Sequence, residues 1–319
     1  MVLSGADPEF AGSGKCAGCH PGVYRLQHAS RHARTLRPAA AVELVTRPFL
    51  FADRVTGAEL VLARPETNSV ELSAKKASEQ HRLRLRWAFG SGAQGITFVG
   101  NRDDGQAVEA RLTWYQSLNG FDLTTGATKH TPVDVRGSLG RELSPEELKQ
   151  CLGCHGTGAE MGVQCESCHG PGTDHIAAVK AGRLDRKIIH PGRLDAFGQI
   201  QLCGNCHGRP PEDTDLAGLR SIEGNPNTIR FASPRLVLSR CFNESAEGLK
   251  CQACHDPHLD AAKGAAAYDP KCRGCHDQSK RKRAIVCPVG KENCSACHMP
   301  RSQVMAHSSF TDHWIRVTQ

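Results

Sequence analysis

The sequence predicts a chain of two characters. A small antiparallel β unit lies near the N-terminus, and the rest is a mainly α or irregular shell built around something other than its own side chains. Three observations predict this. Apolar and polar residues alternate with period 2 between about 42 and 118. The pattern Cys-x-x-Cys-His occurs seven times, six of them after residue 150. Hydrophobic content is 39% and aromatic content 5% over 319 residues, low for a chain that must fill a large interior with side chains.

The β unit rests on two stretches. In His81-Arg-Leu-Arg-Leu-Arg-Trp-Ala-Phe89, residues Leu83, Leu85, Trp87 and Phe89 face one way and Arg82, Arg84 and Arg86 the other. Val108–Trp114 repeats the alternation, which marks half-buried strands. Asp104-Gly105 is a hairpin signal between Ile96–Val99 and the Val108 strand. The apolar face is expected to pack on the C-terminal half. Ser144-Pro145-Glu146-Glu147 then opens a helix, with Ser144 as N-cap, Pro145 in the first turn and Glu147 at the capping-box position. Further on, Gly, Pro and Asp are dense, and short helices and coil are expected.

The first motif is Cys16, Cys19 and His20. The second is Cys151, Cys154 and His155, and the third Cys165, Cys168 and His169. The fourth is Cys203, Cys206 and His207, and the fifth Cys251, Cys254 and His255. The last two are Cys272, Cys275 and His276, then Cys294, Cys297 and His298. Chance would supply roughly 0.04 such patterns at this composition, and the pattern is the attachment signature of haem c. The spacing has a reason: two thioethers pin the porphyrin edge, and the adjacent histidine reaches the iron as proximal ligand. Zinc sites join two Cys-x-x-Cys pairs, or one pair with two histidines, and need no histidine after every second cysteine. Seven covalent haems are therefore expected. The expected fold class is a multihaem cytochrome c, a haem-cored shell with an antiparallel β unit. The expected boundaries are 1–41 for an N-terminal haem segment, 42–143 for the β-rich unit and 144–319 for a six-haem domain.

The formal charge of +7 reads as basic but indicates no nucleic-acid partner. Each oxidised haem brings about −1, since two propionates outweigh the net charge of ferric iron in its porphyrin. Seven haems take the total to about zero, and full reduction to about −7. No apolar run approaches the length of a membrane span. Met1–Phe10 has no basic start and no apolar stretch, so no signal peptide is visible. Bacterial haem attachment happens outside the cytoplasmic membrane, so a periplasmic or extracellular location is expected.

Cys241 and Cys287 are left over, either as a disulfide or as two free thiols. Nine histidines remain to supply sixth ligands: His28, His32, His81, His130, His175, His190, His258, His307 and His313. His258, three residues after His255, is too close in sequence to reach the far side of the same iron, and so is expected on a neighbouring haem. His175 follows the same logic. His32 is expected on a helix after the first motif. His307 and His313 lie on a tail expected to fold over the haems. His28 and His130 complete the candidate set, while His81 reads equally well as an ordinary packed residue and His190 is the weaker candidate. Met299 and Met305 read as gap fillers.

The chain resembles the exported multihaem cytochromes related to the cytochrome c-554 family, especially the bacterial set sometimes fused to tetratricopeptide repeats. The resemblance rests on Cys16-Ala-Gly-Cys-His-Pro with Ser30-Arg-His-Ala33, Phe89-Gly-Ser-Gly92, Cys165-Glu-Ser-Cys-His-Gly-Pro-Gly-Thr-Asp-His175, Cys254-His-Asp-Pro-His258, Cys297-His-Met-Pro300 and Thr311-Asp-His-Trp-Ile315. It implies closely packed haem pairs and supports His32, His175, His258 and His313 as distal ligands. The chain departs from the namesake in carrying more haem sites, and it has no repeat region. Electron transfer along mostly bis-His haems, between donor and acceptor proteins, is the leading expectation. The alternatives are an oxidoreductase acting on a small nitrogen or sulfur compound at one open haem, and a homo-oligomeric subunit of an extracellular haem filament.

Overall fold

A nine-stranded antiparallel sheet dominates the first half of the chain. The structure, a computed structural model, describes residues 9–126, 130–183, 187–211, 216–245, 249–277 and 286–317. The stretch Met1–Phe10 read above for an export signal therefore lies outside the described residues up to Pro8. Helices α1 (Ser13–Cys16) and α2 (Pro21–Ala29) come first. The strands are β1 (Leu36–Pro38), β2 (Phe49–Ala52), β3 (Glu59–Ala63), β4 (Val70–Lys76), β5 (Glu79–Phe89), β6 (Gly95–Arg102), β7 (Ala107–Tyr115), β8 (Gly120–Leu123) and β9 (Gly140–Glu142). Strands β2 to β8 form a meander in sequence order. β1 adds to the C-terminal end of β5, with Leu36 opposite Phe89, and β9 adds to β7 beyond β8, with Gly140 opposite Ala110. The β unit is thus larger than the periodicity indicates, and it begins at Leu36.

One expectation about this sheet is corrected. Leu83, Leu85, Trp87 and Phe89 do not all face the same way. The β5–β6 register shifts between Leu85 and Trp87, a bulge that inserts one residue and turns the side chains beyond it over. Leu83 and Leu85 therefore lie in one core with Leu60, Leu72, Phe98 and Leu112. Phe89 lies in a second, with Leu36, Val99 and Leu143, and Trp87 packs against it. Gly100 sits opposite Leu85 at this point, where a Cβ would run into the carbonyl oxygen of Arg84. The second core is covered by Leu148, Cys151 and Leu152 of helix α3 (Pro145–His155). The apolar face of the β unit is thus divided, and only its smaller part receives a motif-bearing helix.

The helix start agrees with its sequence signal. Ser144 Oγ accepts from the Glu147 amide at 3.2 Å, and Glu147 Oε2 accepts from the Ser144 amide at 2.8 Å. The Asp104-Gly105 turn also forms, with Gly105 at φ 84°.

Contacts divide the chain into two compact units. Gly12–Ser167 with Ala306–Ser308 form one, and the remaining described residues form the other. After the short strands β10 (Gly156–Thr157) and β11 (Glu160–Met161) come α4 (Cys165–His169), α5 (Thr173–Lys180), α6 (Ala196–His207), α7 (Leu216–Gly224), α8 (Ala232–Leu236), α9 (Arg240–Glu244), α10 (Cys251–Cys254), α11 (Asp269–His276) and α12 (Cys294–His298), then the hairpin β12 (Arg301–Met305) and β13 (Ser308–Thr311). These are the short helices the Gly- and Pro-rich composition predicts. Among the described residues no helix is long and apolar enough to cross a membrane.

The sheet is fastened by a buried ion pair. Arg111 Nη2 lies 3.3 Å from Asp53 Oδ1, with side chains 5% and 2% exposed. Burial pushes the Asp53 carboxyl up, but the Val55 amide, Ser138, Arg111 and Thr56 together hold it below its ordinary value of 3.8. Replacing Asp53 with Ala leaves Arg111 buried and unpaired, and is expected to cost about 3–5 kcal/mol in denaturant unfolding. Because the folded pKa is depressed, the pair's contribution is present above the unfolded carboxylate range and is lost as pH falls below it. An Asp53→Ala protein should therefore show a smaller acid-induced loss than the wild type between about pH 5 and pH 2.

Candidate functional site

The Cys-x-x-Cys-His motifs sit on single helical turns. In a helix, positions i, i+3 and i+4 share a face, so both sulfurs and the imidazole point the same way. Helices α3, α4, α6, α11 and α12 each end on the motif histidine. At the other two the backbone still closes the turn: the amide of His20 donates to the Cys16 carbonyl at 2.8 Å, and that of His255 to Cys251 at 3.0 Å.

The two cysteines of a motif are not equally covered. The first one, Cys16, Cys151, Cys165, Cys203, Cys251, Cys272 or Cys294, is half-buried in every case. The second is exposed at Cys19, Cys206, Cys275 and Cys297, and half-buried at Cys154, Cys168 and Cys254. The protein atoms alone cover the first position at every motif and leave the second open at four of them. The cause is local: the first cysteine lies a turn back, against the preceding segment, while the second lies at the helix end.

Backbone carbonyls orient the imidazoles. Nδ1 of His155 donates to Thr35 O at 3.1 Å, that of His169 to Ile189 O at 3.0 Å, and that of His298 to Arg316 O at 2.9 Å. A carbonyl only accepts, so the proton is on Nδ1 and Nε2 keeps its lone pair for a metal. Burial lowers the pKa of His155 and of His255, keeping both neutral.

Two motif histidines face a second histidine. The ring centroids of His169 and His258 are 6.3 Å apart with planes 14° apart. Those of His255 and His313 are also 6.3 Å apart, at 42°. Two metal–nitrogen bonds of about 2 Å each, with two ring radii, span about this distance. Nδ1 of both second rings is also engaged. His258 Nδ1 is 3.0 Å from Asp256 Oδ1, and His313 Nδ1 donates to Thr311 O at 3.1 Å. Burial holds the His313 pKa down.

The other candidates are placed differently. His28 is exposed on α2 and stacks on Tyr24, centroids 5.3 Å apart. His32 is in the turn after α2, not on a helix as expected, and its carbonyl accepts from the Val163 amide at 2.9 Å. His175 is half-buried in the first turn of α5. His81 Nε2 meets Glu79 at 2.8 Å on β5. His130 is exposed between β8 and β9, and His190 is exposed before Pro191. His307, at φ 59°, puts Nε2 2.7 Å from Asp122 Oδ2 and its ring beside Tyr115, so that nitrogen serves a carboxylate on the sheet.

His313 is held by residues the sequence reading did not single out. Asp312, 1% exposed, takes a two-pronged bond from Arg235: Nε to Oδ1 at 2.8 Å and Nη2 to Oδ2 at 2.6 Å. It also accepts from Arg316 Nη1 at 2.7 Å and from the Trp314 amide at 3.0 Å. Both guanidiniums lie over the Trp314 ring, at 5.1 and 4.2 Å. Ser239 Oγ accepts from the Ile315 amide at 2.8 Å. Asp312 lies within the motif Thr311–Ile315, but its buried partner Arg235 is 77 residues away and has no local signal.

The residue set fits haem better than zinc. Among the described residues no group of three or more His, Cys, Asp or Glu converges to hold a metal ion. The motifs are spread singly along the chain, each with its own imidazole. The core agrees: among the described residues, the buried hydrophobic ones beyond Cys168 are Ala178, Ala196, Ile200, Ile229 and Leu236. So short a list cannot form a conventional core for that stretch. Cys241 is half-buried and Cys287 exposed, and both are free thiols, so the two are not joined as a disulfide.

No protein-family model matches the chain, and no curated protein matches it. In structure it is similar to the outer cell wall cytochrome OcwA, whose crystal structure aligns with a TM-score of 0.57 at 14% identity, over 96% of this chain and 79% of that one. The chain shares its fold with that cytochrome. At this identity the likeness carries the fold alone.

Asp312→Ala should leave Arg235 buried without its partner and cost about 3 kcal/mol or more in denaturant unfolding. The Trp314 amide loses its acceptor, so its hydrogen-exchange protection should fall while that of the Leu83 amide in the sheet stays unchanged.

Proposed function

We propose that the chain is an exported heptahaem c-type cytochrome that passes electrons along closely packed, mostly bis-His haems. The observation that carries this reading is the pair of opposed imidazoles, His169 with His258 and His255 with His313, each 6.3 Å apart with Nδ1 of His169, His258 and His313 already engaged. The fold likeness to OcwA, whose name is that of an outer cell wall cytochrome, supports a multihaem assignment and a location outside the cytoplasm.

In this reading seven cysteine pairs hold seven porphyrin edges as thioethers: Cys16 with Cys19, Cys151 with Cys154, Cys165 with Cys168, Cys203 with Cys206, Cys251 with Cys254, Cys272 with Cys275 and Cys294 with Cys297. His20, His155, His169, His207, His255, His276 and His298 supply proximal nitrogens. His258 and His313 supply two distal ones. The remaining distal ligands are drawn from His28, His32, His130 and His175, and His307 stays with Asp122. When bound, haem supplies a one-electron couple at each iron. The chain's residues do the rest. Carbonyls of Thr35, Ile189, Arg316 and Thr311 fix ring orientation and the tautomer. Burial favours the neutral imidazole at His155, His255 and His313, and a second histidine would close the iron to substrates. Reduction would make the protein more negative by about one charge per haem, so its partners are proteins that tolerate both charge states.

Mass spectrometry of the holoprotein should give seven haem increments, and its ferric spectrum should be low-spin. His258→Ala and His313→Ala should each open one iron, seen as one new CO-binding haem in the ferrous protein. CO binding by the wild type would instead favour the oxidoreductase reading, and a protein without covalent haem would end both.

A further inference from the structure

In three places two motifs distant in sequence are joined by polar side chains, of which Ser13, Glu166, Gln199 and Asp269 are buried. Near the N-terminus, the Gly12 amide donates to Glu166 Oε2 at 2.9 Å, and the Ser13 amide and hydroxyl donate to Glu160 Oε2 at 3.0 and 2.9 Å. The Cys165 amide donates back to Ser13 Oγ at 3.4 Å. Ser13 is 2% exposed and Glu166 4%. Burial, with the neighbouring Cys165 thiol, pushes Cys16 up to about 11.

The second lock joins α6 to α10. Gln199 Nε2 donates to Gln252 Oε1 at 3.2 Å, and the Gln252 amide donates to Gln199 Oε1 at 3.3 Å. Gln199 is 2% exposed. The neighbouring thiols of Cys203 and Cys251 act on each other, lowering the first to about 7 and raising the second. The third lock joins α11 to α12. Asp269, 3% exposed, accepts from the Asn293 amide at 2.7 Å and the Cys294 amide at 2.9 Å. Cys272 and Cys294 share the thiol contact. Each lock therefore brings together the first cysteines of two motifs, and each is made by side chains that the attachment chemistry does not use.

We propose that six of the motifs work as three preset pairs, Cys16 with Cys165, Cys203 with Cys251 and Cys272 with Cys294, and that Glu160, Glu166, Gln199, Gln252 and Asp269 are positioning residues that set how two haem edges meet in each pair. The proposal rests on the haem reading above. Adjacent thioether sulfurs place two porphyrin edges side by side, so electronic and magnetic coupling is strongest within a pair. Electrons equilibrate inside a pair before they move on.

The test is ferric EPR on holoprotein whose haem count has first been checked by mass. Removing one motif, as in Cys272→Ser with Cys275→Ser, should release one uncoupled low-spin signal from its partner. Removing both members of a pair should release none. Removing one member from each of two pairs should release two. A released signal after deleting the motifs of Cys272 and Cys294 together would overturn the pairing. So would six remaining haems with no released signal after a single deletion. Asp269→Asn, which keeps all seven attachment sites, should change the coupled signal of its own pair and leave the other two as they are. A coupled signal identical to wild type would remove Asp269 from the positioning role. A protein with no covalent haem would fail at the mass step, a different result from a wrong pairing.

Discussion

Among the described residues beyond Cys168, five hydrophobic side chains other than proline are buried, two of them alanines. At about 25 cal/mol per Å2 of apolar surface, so few cannot order that length of backbone. The ordering falls to hydrogen-bonded polar groups, of which Asp312, Asp269 and Gln199 are buried. Asp312 accepts four hydrogen bonds, Asp269 two from backbone amides, and Gln199 and Gln252 bond reciprocally. Buried polar groups are costly when half satisfied and specific when fully satisfied. These belong to the second kind, and each lies within a few residues of an imidazole or a motif cysteine. The same residues that give this half its shape thereby aim its histidines.

Local features were legible in the sequence because their partners are near. The capping box of Ser144 and Glu147 spans three residues, the Asp104-Gly105 turn two, and the attachment motif one helical turn. His258 was expected to lie away from the metal side of His255 because three residues separate them, and its ring is beside His169. The bulge at Arg86 was not legible, because period 2 runs unbroken through Trp87 and only the β6 register reveals the slip. Strand β1 was missed for the same reason: three residues have no period, and Leu36 is a strand residue only because Phe89 lies opposite. Arg235 and Asp312, 77 residues apart, left no pattern at all.

In the proposed reading the opposed imidazoles supply distal ligands economically. His258 comes from the turn directly after the motif of His255, yet faces His169. His313 comes from the tail and faces His255. One short segment, Cys254–His258, thus contributes to two centres. A substitution such as Pro257→Gly would loosen the relation between both at once. Motif order along the chain and neighbour order in space are consequently different sequences, joined by turns rather than by long elements.

The meander of β2 to β8 has a bearing on how the molecule comes into being. Each strand closes on the one just made, so its contacts are short in sequence, a topology associated with rapid folding. Its interior is Leu, Val, Phe and Ala from its own strands and needs no prosthetic group. The later cysteines belong to helices as short as four residues, which on their own are too short to persist in water. A newly made chain can therefore complete the sheet while most attachment cysteines stay on open, reachable backbone. Loading and folding of the C-terminal half become a single event, and the sheet is complete before that event begins.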